Sequence, residues 1–270
     1  PDEQDPEGLD LYTAGAVKYA GAPDVHLMQP TVFDHGTDKL WGQLALSRDG
    51  TRWTRYRTPY LGLGEPGAWD AGSVFPAPVA APVGDQVHLF YRGDATGHGG
   101  DGSAAGLGLA TLRRDGFVAW RGRAGGTLTT HLLAYNHGGG ALPGRGRLFL
   151  NVDAAQGEAR VELIDAHGNA LPGFDTPDCD PIRTDSTAHM VTWKGCPVID
   201  TLLGRVFSLR VHLRDATLYS FRFARRGDTQ DSMEQQIAAC ETEVKAVPPG
   251  PERQSRMQQL RELVNSWRRA

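Results

Sequence analysis

Twice within the first 120 residues an alternating apolar run ends in Arg-Asp-Gly with an aromatic close behind. The stretches are LSRDGTRW at 46–53 and LRRDGFVAW at 112–120. Asp-Gly after such a run is a turn signal, because the Asp side chain bonds the backbone ahead of it and Gly supplies positive φ. Trp53 and Trp120 then open the next strand, where an indole packs across the hairpin. Each Arg-Asp-Gly is therefore read as closing a hairpin between the third and outermost strands of a four-stranded unit. One unit covers 11–60 and the other 61–122. Between these signals lie short runs separated by Gly, Pro, Asp and Asn: VHLMQPTVF (25–33), LWGQLAL (40–46), QVHLFY (86–91) and GLGLATL (106–112). No helical periodicity intervenes, so the sheet is antiparallel. The units overlay VHLMQPTVFDH on AGSVFPAPVAAP and LWGQLALSRDG on LGLATLRRDG. A four-stranded repeat of about fifty residues predicts propeller blades. The plainer alternative is two unrelated hairpins sharing a turn.

Residues 127–223 carry longer alternating runs, LFLNV (148–152), ARVELI (159–164), HMVTW (189–193), VFSLRVHL (206–213) and ATLYSFRF (216–223). Turns such as AHGN (166–169) and LRDA (213–216) join them, which predicts a β-sandwich of jelly-roll type. After residue 227 the chain turns rich in Gln, Glu and Arg. Met233, Ile237, Cys240 and Val244, then Met257, Leu260, Val264 and Trp267, recur at helical steps on either side of PPGP (248–251). Two amphipathic helices follow from that pattern, packing on the sandwich or on another subunit. The predicted fold class is all-β: a partial β-propeller of about two blades over 1–125, a jelly-roll-type β-sandwich over 126–225 and a helical hairpin over 226–270.

With 270 residues and a formal net charge of −4, the chain presents no electrostatic case for nucleic acid or an anionic membrane surface. No apolar run reaches membrane-spanning length, and no signal segment opens the sequence. Three cysteines make no disulfide framework. Cys179 and Cys196 are near enough in sequence to pair, but free thiols are expected, and no Cys/His spacing reads as a zinc site. Neither a metal nor a cofactor is expected. The glycine-rich GDATGHGG (93–100) lacks the following Gly-Lys and helix of a phosphate loop. No Gly-x-Ser-x-Gly elbow supports a serine hydrolase.

The order SRDGTRW, GAWDAG (67–72), LFYRG (89–93), then a sandwich containing LNVDA (150–154) and LYSFRF (218–223), resembles the five-bladed propeller glycoside hydrolases of families 32 and 43. It is also similar to uncharacterised bacterial propeller-plus-sandwich relatives of those families. The resemblance covers about residues 11–223. It implies a carbohydrate-active protein with a glycan or oligosaccharide as partner. A five-bladed ring takes about 250 residues of blades, and about two blades precede the sandwich here. The expectation is the C-terminal part of a larger hydrolase, inactive alone, with an extracytoplasmic setting. A non-catalytic carbohydrate-binding module, or an assembly module joined through its helical tail, is the alternative.

Glycosidic hydrolysis needs two carboxyl groups. Asp70, just before the innermost strand of a blade, is the first catalytic candidate, and Glu65 in the preceding loop is the second. The resemblance makes Trp69 a stacking platform for a sugar. Tyr91, Arg92 and His98 form a second candidate binding cluster, and Asp34 with His35 end the matching strand of the preceding unit. Each has a bland reading too: Asp70 as a turn cap, Trp69 as core, Glu65 and His98 as surface, Arg92 as a strand-end ion pair. Asp49 and Asp115, in the Asp-box-like turns, are structural.

Overall fold

The structure is a computed structural model and describes residues 2–22, 24–134, 146–197, 199, 202, 204–223, 250 and 258. Apart from those last two positions, the expected helical hairpin at 226–270 lies outside these residues, as does Cys240. Among the described residues the fifteen elements are all β-strands. The chain forms two compact units, Pro1–Phe117 and Val118–Ala270.

The first unit opens with an antiparallel meander of β1 (Leu9–Lys18), β2 (His26–Asp34), β3 (Lys39–Ser47) and β4 (Thr54–Leu61). A second meander follows, of β5 (Ser73–Val83), β6 (Gln86–Asp94) and β7 (Gly106–Arg113). One parallel bridge, Leu40 to Ser73, links them. The overlay of 25–35 on 71–82 is therefore displaced by one strand: β2 is the second strand of its meander and β5 the first of its own.

The first Arg-Asp-Gly closes the β3–β4 hairpin. Asp49 Oδ1 accepts the backbone N–H groups of Thr51 (2.8 Å) and Arg52 (2.7 Å), and Ser47 Oγ accepts Gly50 N–H (2.9 Å). Gly50 has φ +74. Backbone donation from Arg52 and Thr51 holds the Asp49 carboxyl far below the usual carboxylate range. The second Arg-Asp-Gly does not close a hairpin. Asp115 instead accepts a 2.6 Å hydrogen bond from the Tyr19 hydroxyl, and Phe117 packs edge-on against the Tyr19 ring at 4.9 Å. The next strand, β8 (Trp120–Gly122), pairs in the second unit. Among the described residues no strand lies along the outer edge of β7, where Leu107 is 91% exposed.

β5 crosses the first meander at very close range. A Cβ built on Gly15 would lie 2.4 Å from Pro78 Cβ, and one on Gly42 2.5 Å from Pro76 Cγ. The Gln29 side-chain amide, buried at the same crossing, donates to the Ala77 carbonyl at 3.1 Å. The β5–β6 register shifts between Pro76 and Ala80, so Pro78 sits in the bulge, where the ladder needs no donor. The same logic covers Pro30, which has no partner in the β2–β3 register.

The second unit is built from two four-stranded sheets. One holds β9 (Gly126–Thr129), β10 (Leu133–Ala134), β12 (Glu158–Ile164) and β14 (Val206–Arg214). The other runs β13 (Asp185–Met190), β11 (Leu148–Asp153), β15 (Ala216–Phe223), β8. Alternation puts Phe207, Leu209, Val211 and Leu213 of β14 in one buried cluster with Leu148, Leu150 and Val152 of β11. Trp193 joins this core and donates its indole N–H to the Val161 carbonyl at 3.0 Å. Cys179 and Cys196 are both free thiols, the first buried and the second exposed.

Gly42→Ala is expected to lower the stability of the first unit by about 1–3 kcal/mol through overpacking. Gly62→Ala, whose Cβ meets nothing closer than 3.7 Å, should be neutral or slightly stabilising. Chemical denaturation followed by tryptophan fluorescence compares the two. In the second unit Leu209→Ala is expected to cost about 2–5 kcal/mol. Leu107→Ala in the first unit should change stability by no more than about 0.5 kcal/mol, and the same titrations check both.

Candidate functional site

The pairings Leu9–Asp34, Leu40–Ser73 and Ser73–Asp94 bring the start of β1, the end of β2, the start of β5 and the end of β6 to one end of the sheet. Most of the residues singled out in the sequence lie at or near that end, in two groups that do not merge. Tyr91 and Arg92 are successive on β6, so their side chains leave opposite faces.

The first group is Trp69, Asp70 and Tyr91. Trp69 and Asp70 sit in the segment between β4 and β5, which is pinned by Gly64 N–H to Asp70 O at 3.2 Å and by Ala68 N–H to Glu65 O at 2.8 Å. The Tyr91 hydroxyl donates to Asp70 Oδ2 at 2.8 Å, and the Trp69 and Tyr91 rings stack with centroids 5.7 Å apart at 21°. Gly106 and Gly108 make room for the rings, since a Cβ on the first would lie 3.0 Å from Trp69 and on the second 2.2 Å from Tyr91. Trp69 remains 42% exposed. Burial, and then the bond to Asp70, push the Tyr91 phenol up to about 12. The product is a half-open aromatic face with a carboxylate at its edge.

The second group gathers around Phe33 and Phe75. His98 stacks on Phe33 at 4.7 Å and 30°, and Tyr12, itself 50% exposed, meets His98 edge-on at 4.9 Å and Phe75 at 6.2 Å. The Arg92 guanidinium lies 5.5 Å over the Phe75 ring, and its Nη2 donates to Asp94 Oδ2 at 3.1 Å. Asp94 is only 2% exposed and also accepts from Thr96 N–H (3.0 Å) and Oγ1 (2.7 Å). These Thr96 bonds, first from its backbone and then from its hydroxyl, hold the Asp94 carboxyl below the usual range. His35 lies against Phe33 at 4.4 Å, with Nε2 on Asp10 Oδ2 at 2.7 Å.

Two candidates stand apart. Asp34 closes its own turn, accepting from Thr37 Oγ1 (2.7 Å) and Gly36 N–H (2.9 Å), bonds that also depress its carboxyl. Glu65 is exposed on the segment before Trp69. Sequence reasoning missed Tyr12, Phe75, Asp10 and Asp94. Asp94 had one legible signal, a carboxylate two residues beyond Arg92 on the same strand and hence the same face. Among the described residues no group of His, Cys, Asp or Glu is arranged to hold a metal ion, and no helix is long and apolar enough to cross a membrane.

The raised Tyr91 phenol has a definite sign. Its contribution to stability is complete below the ordinary tyrosine value near 10 and is lost as pH rises through about 12. Asp70→Asn is expected to bring the Tyr91 titration earlier, part of the way back, while leaving Tyr19 and Tyr60 unmoved. Tyrosine-selective carbon NMR against pH reads each phenol separately.

No family model and no curated protein matches the chain. Among solved structures it is similar to one described as a complex of BT0996 and RGII and to one described as a glycoside hydrolase. Each is 19% identical with a TM-score of 0.31. The likeness covers 39% of this chain and 32% of each of those, so it spans about a third of their length.

Proposed function

We propose that this chain is a glycan-binding part of a carbohydrate-active protein, and that it holds a sugar at Trp69, Asp70 and Tyr91. The observation that carries the reading is the half-exposed Trp69 ring, stacked on Tyr91 with the Asp70 carboxylate at its edge. A pyranose has one weakly polar face of C–H groups and a rim of hydroxyls. The indole takes the first by apolar contact and the carboxylate accepts from the second. The platform is rigid because Tyr91 is bonded to Asp70, so little side-chain freedom is lost on binding.

Glycoside hydrolysis is the stronger form of the same reading. It asks for a general acid and a nucleophile or base, and Asp70 with Glu65 is the pair proposed for those roles. Glu65 shares the Asp70 segment and is open to a ligand, which supports its candidacy. In this form the early blades of a propeller contribute to the same cleft, and the chain acts as the C-terminal portion of the whole.

Titration with neutral oligosaccharides, read by tryptophan fluorescence or calorimetry, tests the binding reading. Trp69→Ala is expected to weaken binding at least about tenfold, and Tyr91→Phe to weaken it less. A Trp69→Ala chain that binds as well as the native one refutes the site. Asp70→Asn and Glu65→Gln carry the hydrolytic form: each should abolish release of reducing ends by an active preparation while glycan binding persists.

A further inference from the structure

We infer that the Arg92 cluster is a carboxylate-recognition position, and that the glycans this chain takes carry uronic acid residues. The inference rests on the glycan-binding reading above and names its substrate class.

Arg92 is held more firmly than a surface arginine needs to be. Phe75 lies under its guanidinium, and one edge is anchored through Nη2 by Asp94, a carboxylate that is 2% exposed. Asp94 is oriented in turn by two bonds from Thr96. The Arg92 side chain is nevertheless 43% exposed. Its Nε and Nη1 donate to no protein group among the described residues. Gly102 lies close beside the guanidinium, since a Cβ there would come within 3.1 Å of Nη2. A planar cation backed by a ring on one face and bonded through one N–H of Nη2 keeps its other Nη2 hydrogen and the hydrogens of Nε and Nη1, and such an edge matches the two oxygens of a carboxylate.

The surroundings fit a sugar acid better than a free anion. Tyr12 touches the same Phe75 ring and offers a half-exposed aromatic face beside the guanidinium, with His98 against it. The nearby carboxylates are committed elsewhere: Asp10 to His35, Asp34 to its turn, and Asp101 to the Ser103 N–H at 2.9 Å. Lysine in place of Arg92 would keep the charge but lose the planar fork.

The test is NMR of the full chain with arginine and tryptophan side-chain nitrogens labelled. The probes are trimers of galacturonate, glucuronate and mannuronate, each paired with the neutral trimer of the same linkage. The expected result is a shift of the Arg92 Nε–H with at least one uronate and with none of the neutral sugars. Binding of that uronate should exceed its neutral partner by about tenfold. Arg92→Gln should erase the difference between the uronate and its neutral partner, and Arg92→Lys should fall between. If Trp69 shifts but Arg92 stays still with every uronate, the inference is overturned and the glycan reading stands. If Arg92 shifts with a uronate but Trp69 never moves, the carboxylate position stands and the Trp69 site falls. If neither moves, both are overturned.

Discussion

The close approach that organises the first unit is β5 lying across the first meander, with Pro76 over Gly42 and Pro78 over Gly15. Two sheets packed with ordinary side chains stand about 10 Å apart. Here glycine on one side and proline rings on the other bring the strands far closer, and the Gln29 amide bonds Ala77 to fix the sliding position. Once β5 is placed, Ser73 meets Leu40 and pairs with Asp94. The segment entering β5 is then confined, and with it Trp69 and Asp70. Both ring groups thus inherit their positions from a contact between residues that carry no chemistry of their own.

Much of this was legible where the signal is local. Ser47, Asp49 and Gly50 satisfy each other within a few residues, so LSRDGTRW reads correctly as a hairpin. LRRDGFVAW contains the same letters, but Asp115 is claimed by a hydroxyl 96 residues earlier in the chain, and a window of ten residues cannot reveal that competitor. The misplaced overlay has a similar cause. β1, LDLYTAGAVK, is mostly exposed, with only Leu9, Gly15 and Val17 partly buried. A strand with so little apolar alternation does not announce itself. The alternation of β14 reflects burial on one face, and the two sheets of that unit fit the β-sandwich it predicts.

The candidate site divides along the same line. That Asp70 and Tyr91 meet follows from β5 and β6 being a hairpin, which the runs at 71–82 and 86–91 suggested. The union of Tyr12 with Phe75 and His98 depends on the crossing of the two meanders, which no run encodes. Asp34 and Asp49 show what consumes a carboxylate: both accept two or more local donors, which lower both carboxyls below their ordinary value. Such groups terminate turns. Asp70 receives one side-chain donor and keeps acceptor capacity at the edge of an open ring, which supports its place in the proposed site.

The two ring groups also differ in what they can recognise, because their polar partners have opposite sign. At Trp69 the fixed group is an anion, an acceptor only, which suits the hydroxyls of a neutral sugar. At Tyr12 the fixed group is the Arg92 cation, a donor only, which favours ligand oxygens that carry charge. A ligand made only of neutral sugars leaves the second group's strongest interaction unused, whereas a ligand with carboxylates along its length meets repulsion at Asp70 wherever an acid falls there. Under the proposed glycan reading, a glycan in which acidic and neutral positions differ satisfies both groups, and a uniformly charged polymer satisfies only one.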